Sequence, residues 1–201
     1  MSRTQCMRAL CLTVCFAIVS AASLAQSVYH MTTFPPNYYP SSINRYGVIV
    51  GTYLNPSTSH YAPFVWTPNV PNGKTGDIRI IGVPAGSDGF GIDINESGVI
   101  VGDLWPNTSF KTNGFKIGAN AAAINAATDI ISSPTYSVAI AGINRSGTVA
   151  GNLGEVTETG YFSGFRIPNG VMTVTDAHRL SPAGTFSQAD AINDLDQVVG
   201  A

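Results

Sequence analysis

Short apolar stretches recur along this chain, and one nine-residue phrase sets their rhythm. It reads Ile-Asn, two variable residues, Gly or Asp, three residues that are mostly β-branched, and a closing Gly. It occupies 43–51, 94–102, 143–151 and 192–200, with Asn44, Asn95, Asn144 and Asn193 spaced 51, 49 and 49 residues apart. A second marker keeps register with the first. Phe64, Phe115 and Phe165 follow their asparagines by 20, 20 and 21 residues. Self-similarity at a period near 50 is the signature of a chain built from units of that size.

Each part of the phrase has a local meaning. Ile closes a strand, and the Asn side chain hydrogen-bonds the backbone two residues on, in an Asx turn. Gly47, Gly98 and Gly147, three positions later, suit a left-handed residue ending a short hairpin. Asp196 stands there in the fourth copy, and Asp tolerates positive φ. The following triplets Val48-Ile49-Val50 and Val99-Ile100-Val101 are apolar on both faces, which predicts strands covered on both sides. The closing Gly51, Gly102, Gly151 and Gly200 fit a close backbone approach at the strand end.

Two further strand candidates fill each period. Residues 62–66 lead through a turn to 77–81, and the slots around Phe115 and Phe165 show Phe and Ile two apart with Lys or Arg between, the alternation of a half-exposed strand. Residues 170–174 read as a strand, and 119–131 as a short helix or turn. The expectation is an all-β, repeat-built fold, β-propeller-like, with four-stranded blades of about 50 residues. A β-solenoid or meander sandwich fits the same pattern. The fourth phrase stops at Ala201, before the Phe strand due about 20 residues after Asn193. The reading is therefore of a chain truncated at its C-terminus, with 28–33 as the alternative source of a closing strand.

Residues 1–25 stand apart. Arg3 and Arg8 precede 14 uncharged residues, and Ser23-Leu24-Ala25 places small residues before a cleavage point. That order is a secretory signal, too short to span a bilayer. The expectation is a signal peptide followed by one domain, 26–201, delivered outside the cell or to the periplasm. Cys6, Cys11 and Cys15 all fall in the leader, so the remainder has no disulfide to rely on. Removing Arg3 and Arg8 leaves 8 basic against 12 acidic residues, a formal charge of −4. That balance offers no electrostatic footprint for nucleic acid.

The Ile-Asn-x-x-Gly-x-Val-Val-Gly phrase with a Phe-centred strand resembles the HAF-repeat family of bacterial extracellular repeat proteins, over roughly 38–201. The slots matching the family's His-Ala-Phe read Ala62-Pro63-Phe64, Asn113-Gly114-Phe115 and Ser163-Gly164-Phe165, keeping only the Phe. The resemblance implies export and a repeat-built β fold, and carries no catalytic residues.

Candidate chemistry is sparse. Asp93, Asn95 and Ser97 have the spacing of calcium ligands before a Gly turn, but Leu104 stands where a bidentate Glu would close an EF-hand loop; a hairpin turn is the default. His30, His60 and His178 share no ligand spacing, and no Gly-x-Ser-x-Gly elbow marks a nucleophile. Asp93 with Asp103, and Glu155 with Glu158, are the carboxylate pairs a glycosidase would need. Tyr53, Tyr61, Trp105 and Tyr161 lie in corresponding loops of three units, and equivalent loops emerge on one face. Read together, these features predict a secreted, non-enzymatic binding module for an extracellular glycan or protein, with Tyr53, Tyr61, Trp105 and Tyr161 as its rim or as caps on blade packing. A secreted carbohydrate-active hydrolase is the competing reading.

Overall fold

Four hairpins, one per phrase, organise the molecule. The computed structural model describes residues 33–154, 162–182 and 185–201, all within the unit Thr32–Ala201. Strands β1 (Tyr38–Ile43), β2 (Ile49–Leu54), β3 (Tyr61–Pro68) and β4 (Gly76–Ile80) form the first antiparallel sheet in chain order. The second contains β5 (Ser87–Ile94), β6 (Val99–Pro106), β7 (Asn113–Gly118) and β8 (Ile130–Ile131). The third contains β9 (Ser137–Ile143), β10 (Val149–Gly154) and β11 (Phe162–Ile167), and the fourth β12 (Ala189–Ile192) and β13 (Val198–Gly200). A 3-10 turn at Asp176–His178 is the one helical element among the described residues. The chain is all-β, as expected, and none of these sheets closes on itself. No helix among the described residues is long and apolar enough to cross a membrane.

The hairpin turns share one construction. The Oδ1 of Asn44 accepts from the backbone N–H of Tyr46 and Val48 at 3.0 and 3.1 Å, and that of Asn95 from Ser97 and Val99 at 3.0 and 2.9 Å. Asn144 caps Thr148, and Asn193 caps Leu195 and Gln197. The residue three positions on is left-handed in every copy, with φ of 81° at Gly47, 76° at Gly98, 88° at Gly147 and 61° at Asp196. The first strand of each hairpin also carries a bulge, at Ser41, Ile92, Ala141 and Asp190. The extra residue re-aims the strand just before the turn.

Consecutive sheets pack through their apolar faces. Ile100 joins a core with Val50, Val65, Ile81 and Phe115, whereas its neighbour Val101 joins Val138, Ile140, Val149 and Phe165. Both are fully buried. Adjacent strand residues point to opposite faces, so β6 is covered on both sides, as its apolar triplet predicts.

Of the short helix or turn expected over residues 119–131, the structure has the turn: Asn125 Oδ1 holds the Ala127 N–H in an Asx turn, and Ile130–Ile131 extends as β8. The Arg79 guanidinium donates to the carbonyls of Ala119 and Ala121 and ties this loop to the first sheet. Residues 170–174 add no strand to the third sheet. Their backbone turns to Ser132 instead, with Ser132 N donating to Met172 O at 3.0 Å and Val174 N to Ser132 O at 2.8 Å. The first two sheets therefore have four strands each, while three and two strands are seen in the others. The leader expected at 1–25, and residues 28–32 of the expected closing strand, lie outside the described residues.

Candidate functional site

The aromatic residues separate into two groups. Tyr53 on β2 lies opposite Tyr38 on β1, with ring centroids 4.7 Å apart, and Tyr38 meets Phe64 edge-on at 5.2 Å. That pair belongs to the first sheet alone. Tyr61, the first residue of β3, instead reaches across to the second sheet. Its ring stands 5.1 Å from Phe90 on β5, and Phe90 stands 5.2 Å from Trp105 on β6. The three rings make a continuous ledge that ends in an indole left 54% exposed.

Polar groups border this ledge. Asp88 lies opposite Trp105 in the β5–β6 register and two residues before Phe90. Directly opposite residues share a face, so carboxylate and indole are neighbours. Asp88 Oδ1 accepts from the Tyr61 N–H at 2.8 Å and meets His60 Nδ1 at 3.0 Å. The His60 side chain is largely exposed, that of Asp88 mostly covered. Tyr161, the fourth rim residue, lies outside the described residues. Phe90, Asp88 and His60 were not among the sequence-derived rim residues. Phe90 is legible only when the copies are aligned on their asparagines: the residue five positions earlier is Tyr39, Phe90, Ala139 and Gln188, aromatic in the first two copies.

Asp93, Asn95, Asp103 and His178 each hydrogen-bond to the protein's own backbone. Asp93 Oδ1 accepts from the Ser42 hydroxyl at 2.6 Å and from Ile94 N at 2.8 Å, and its Oδ2 from Ile143 N at 2.9 Å. Asn95 Oδ1 is engaged with Ser97 N and Val99 N, so the Asp93 and Asn95 oxygens of the calcium reading serve hydrogen-bond donors of the protein. No cluster of three His, Cys, Asp or Glu residues suited to a metal occurs among the described residues. His178 Nδ1 accepts from Thr175 N at 3.0 Å and caps the 3-10 turn. Asp103 accepts from Ile140 N at 2.8 Å and pairs in register with Phe90, while Asp93 pairs with Val101, so the two carboxylates are not opposite each other. Burial raises the Asp103 pKa to about 7. His30, Glu155 and Glu158 lie outside the described residues.

The asparagines do more than shape their own turns. Asn44 Nδ2 donates to Asn95 O at 3.2 Å, Asn95 Nδ2 to Asn144 O at 3.0 Å, and Asn144 Nδ2 to Asn193 O at 3.1 Å. One amide thus links each turn to the next. Lys116 adds a second link. Its Nζ donates to Gly147 O at 2.7 Å and Asn169 Oδ1 at 2.8 Å, beside an open cavity of about 290 Å³ also bordered by Thr128, Asp129 and Met172. Burial pulls the Lys116 pKa below its ordinary value. Arg166 repeats the link to Asp196 O at 2.6 Å.

The chain finds no match among protein-family models, curated proteins or solved structures.

Proposed function

We propose that this chain is a secreted, non-enzymatic binding module that contacts an extracellular glycan through Tyr61, Phe90 and Trp105. The single observation that carries the reading is the exposed Trp105 indole continuing a row of packed rings beside Asp88 and His60. An exposed indole gives up a large apolar area when covered. The C–H face of a pyranose stacks on such a ring, and its hydroxyls find an acceptor in Asp88 and a partner in His60. A few placed polar groups beside an apolar platform is the usual make-up of a ligand site.

The leader-like segment 1–25 and the resemblance to exported HAF-repeat proteins support the secreted part of the proposal. The same resemblance, with the recurring hairpins, supports a scaffold of propeller-like units. Fixed turns with varied strand ends leave recognition to a surface held on a rigid frame.

The test is a glycan and polysaccharide array run beside a hydrolysis screen on the purified protein. Binding should weaken about tenfold or more in Trp105→Ala, in line with the loss of one stacked aromatic contact, without turnover in any sample. Binding that is indifferent to Trp105→Ala would remove the ledge from the proposal. Turnover lost in Asp93→Asn would replace the binding module by the carbohydrate-active hydrolase.

A further inference from the structure

Ile140 lies on β9, at one edge of the third sheet, and its N–H leaves that sheet to reach Asp103 Oδ1 on β6 at 2.8 Å. In an antiparallel edge strand the N–H and C=O of one residue point the same way. The Ile140 carbonyl therefore leaves the edge beside the N–H that Asp103 receives. One junction along, 49 residues later in the chain, Asn152 stands at the same position and Ala189 takes the place of Ile140. Its side chain closes both ends of the contact. Ala189 N donates to Asn152 Oδ1 at 2.7 Å, and Asn152 Nδ2 donates back to Ala189 O at 3.0 Å. Asp and Asn have the same shape. They differ in that a carboxylate has no hydrogen to give a carbonyl, whereas a carboxylic acid has one.

We propose that Asp103 is a proton-dependent clasp between the second and third sheets: the neutral acid makes both hydrogen bonds to Ile140 that Asn152 makes to Ala189, and the carboxylate keeps one and sets a negative charge against the Ile140 carbonyl. The surroundings favour the neutral form. Burial raises the Asp103 pKa to about 7, with the Ile140 N–H pulling the other way. Strand β9 brings no ionisable side chain to the contact. Strand β5 carries Asp88, held by Tyr61 N and His60, and Asp93, held by Ser42, Ile94 N and Ile143 N. Strand β7 carries Lys116, whose ammonium is bound to Gly147 O and Asn169.

The sign follows from linkage. Because the folded-state pKa lies above the ordinary value of 3.8, the clasp stabilises fully below that value and loses its effect as pH rises through about 7. Asp103 lies opposite Phe90 and two residues before Trp105, so opening the clasp disturbs the strands that carry the aromatic ledge.

Thermal melts of the protein and of Asp103→Asn between pH 5.5 and 8.5 test the clasp. The melting temperature of the unaltered chain should fall by about 5 °C across that range, most of it below about pH 7, and level off above. Asp103→Asn should show no such step and should melt higher than the unaltered chain at pH 8.5. Asp103→Leu, which has neither charge nor donor, should also lack the step but melt lower than the unaltered chain at pH 5.5. In a Trp66→Phe background, where Trp105 is the one remaining Trp, its emission should shift with a midpoint near pH 7 and stay constant when Asp103→Asn is added. A flat profile in the unaltered chain, or the same step retained in Asp103→Asn, would overturn the proposal. So would Asp103→Leu matching the unaltered chain at pH 5.5, because the neutral acid would then be making no second bond.

Discussion

Gly98 and Gly102 sit four residues apart on one hairpin and are glycine for different reasons. At Gly98 the backbone is left-handed, with φ of 76°, yet the nearest atom to an added Cβ is Ala119 Cβ at 3.6 Å. Space is available there, and only the conformation penalises a side chain. At Gly102 the conformation is ordinary, but a Cβ would run into the Phe90 carbonyl and stand 2.7 Å from the Phe115 ring. Gly98→Val should therefore lower stability by about 1–2 kcal/mol or more, the range for a β-branched residue forced to positive φ. Gly102→Ala should cost about 3 kcal/mol or more, since strand and ring must both yield in a packed core. Urea denaturation gives the comparison, and Gly102→Ala proving the milder change would refute the close approach. Both glycines were legible in the phrase. Which one is needed for backbone conformation and which for lack of room was not, because Phe90 and Phe115 reach Gly102 from other strands.

The hairpin is built around an asparagine whose two side-chain ends serve different elements. The Oδ1 of Asn95 holds its own turn, and its Nδ2 holds the next one through Asn144 O. Asn95 is buried, so removing its amide leaves backbone groups unpaired away from water. Asn95→Ala should cost about 2–3 kcal/mol. Asn193→Ala should cost about 1 kcal/mol or less, because Asn193 is exposed and its Nδ2 donates to Gln197 within its own turn. Asn95→Asp keeps the two acceptor bonds and loses the donor, so a stability close to that of the alanine variant would assign most of the effect to the link between turns. Equilibrium unfolding of the three variants separates these outcomes. The Asx turn could be read from five consecutive residues. The link could not, since its partner lies 49 residues away and is set by how the sheets stack.

Across the described residues, consecutive sheets are joined by apolar faces and by hydrogen bonds in which at least one partner is a neutral backbone or side-chain group. The ion pairs among the described residues that cross from one phrase to the next are Arg45–Glu96 and Arg145–Asp194, and both arginines are more than half exposed. Exposed pairs contribute little and are screened by salt. Raising sodium chloride from about 0.05 to 0.5 M at pH 6 should therefore move the melting temperature by no more than about 2 °C, by the same principles. A large fall by differential scanning calorimetry would mean that the surface pairs hold the sheets together.

The hairpin turns and the strands that flank them follow from the sequence by itself, because each depends on neighbours within about ten residues. A left-handed glycine, an Asx cap and a two-faced apolar triplet fold the same way wherever they occur. The tertiary structure alone decided what those elements meet. It brought Phe90 between Tyr61 and Trp105, set Asp103 against Ile140, and aligned the asparagines so that each donates to the next turn. It also settled a competition: 170–174 has the composition of a strand, yet its backbone pairs with Ser132 of the preceding period. An extended segment can satisfy its backbone groups on more than one edge, and packing selects the edge that buries Val174 beside Phe165 and Ile131.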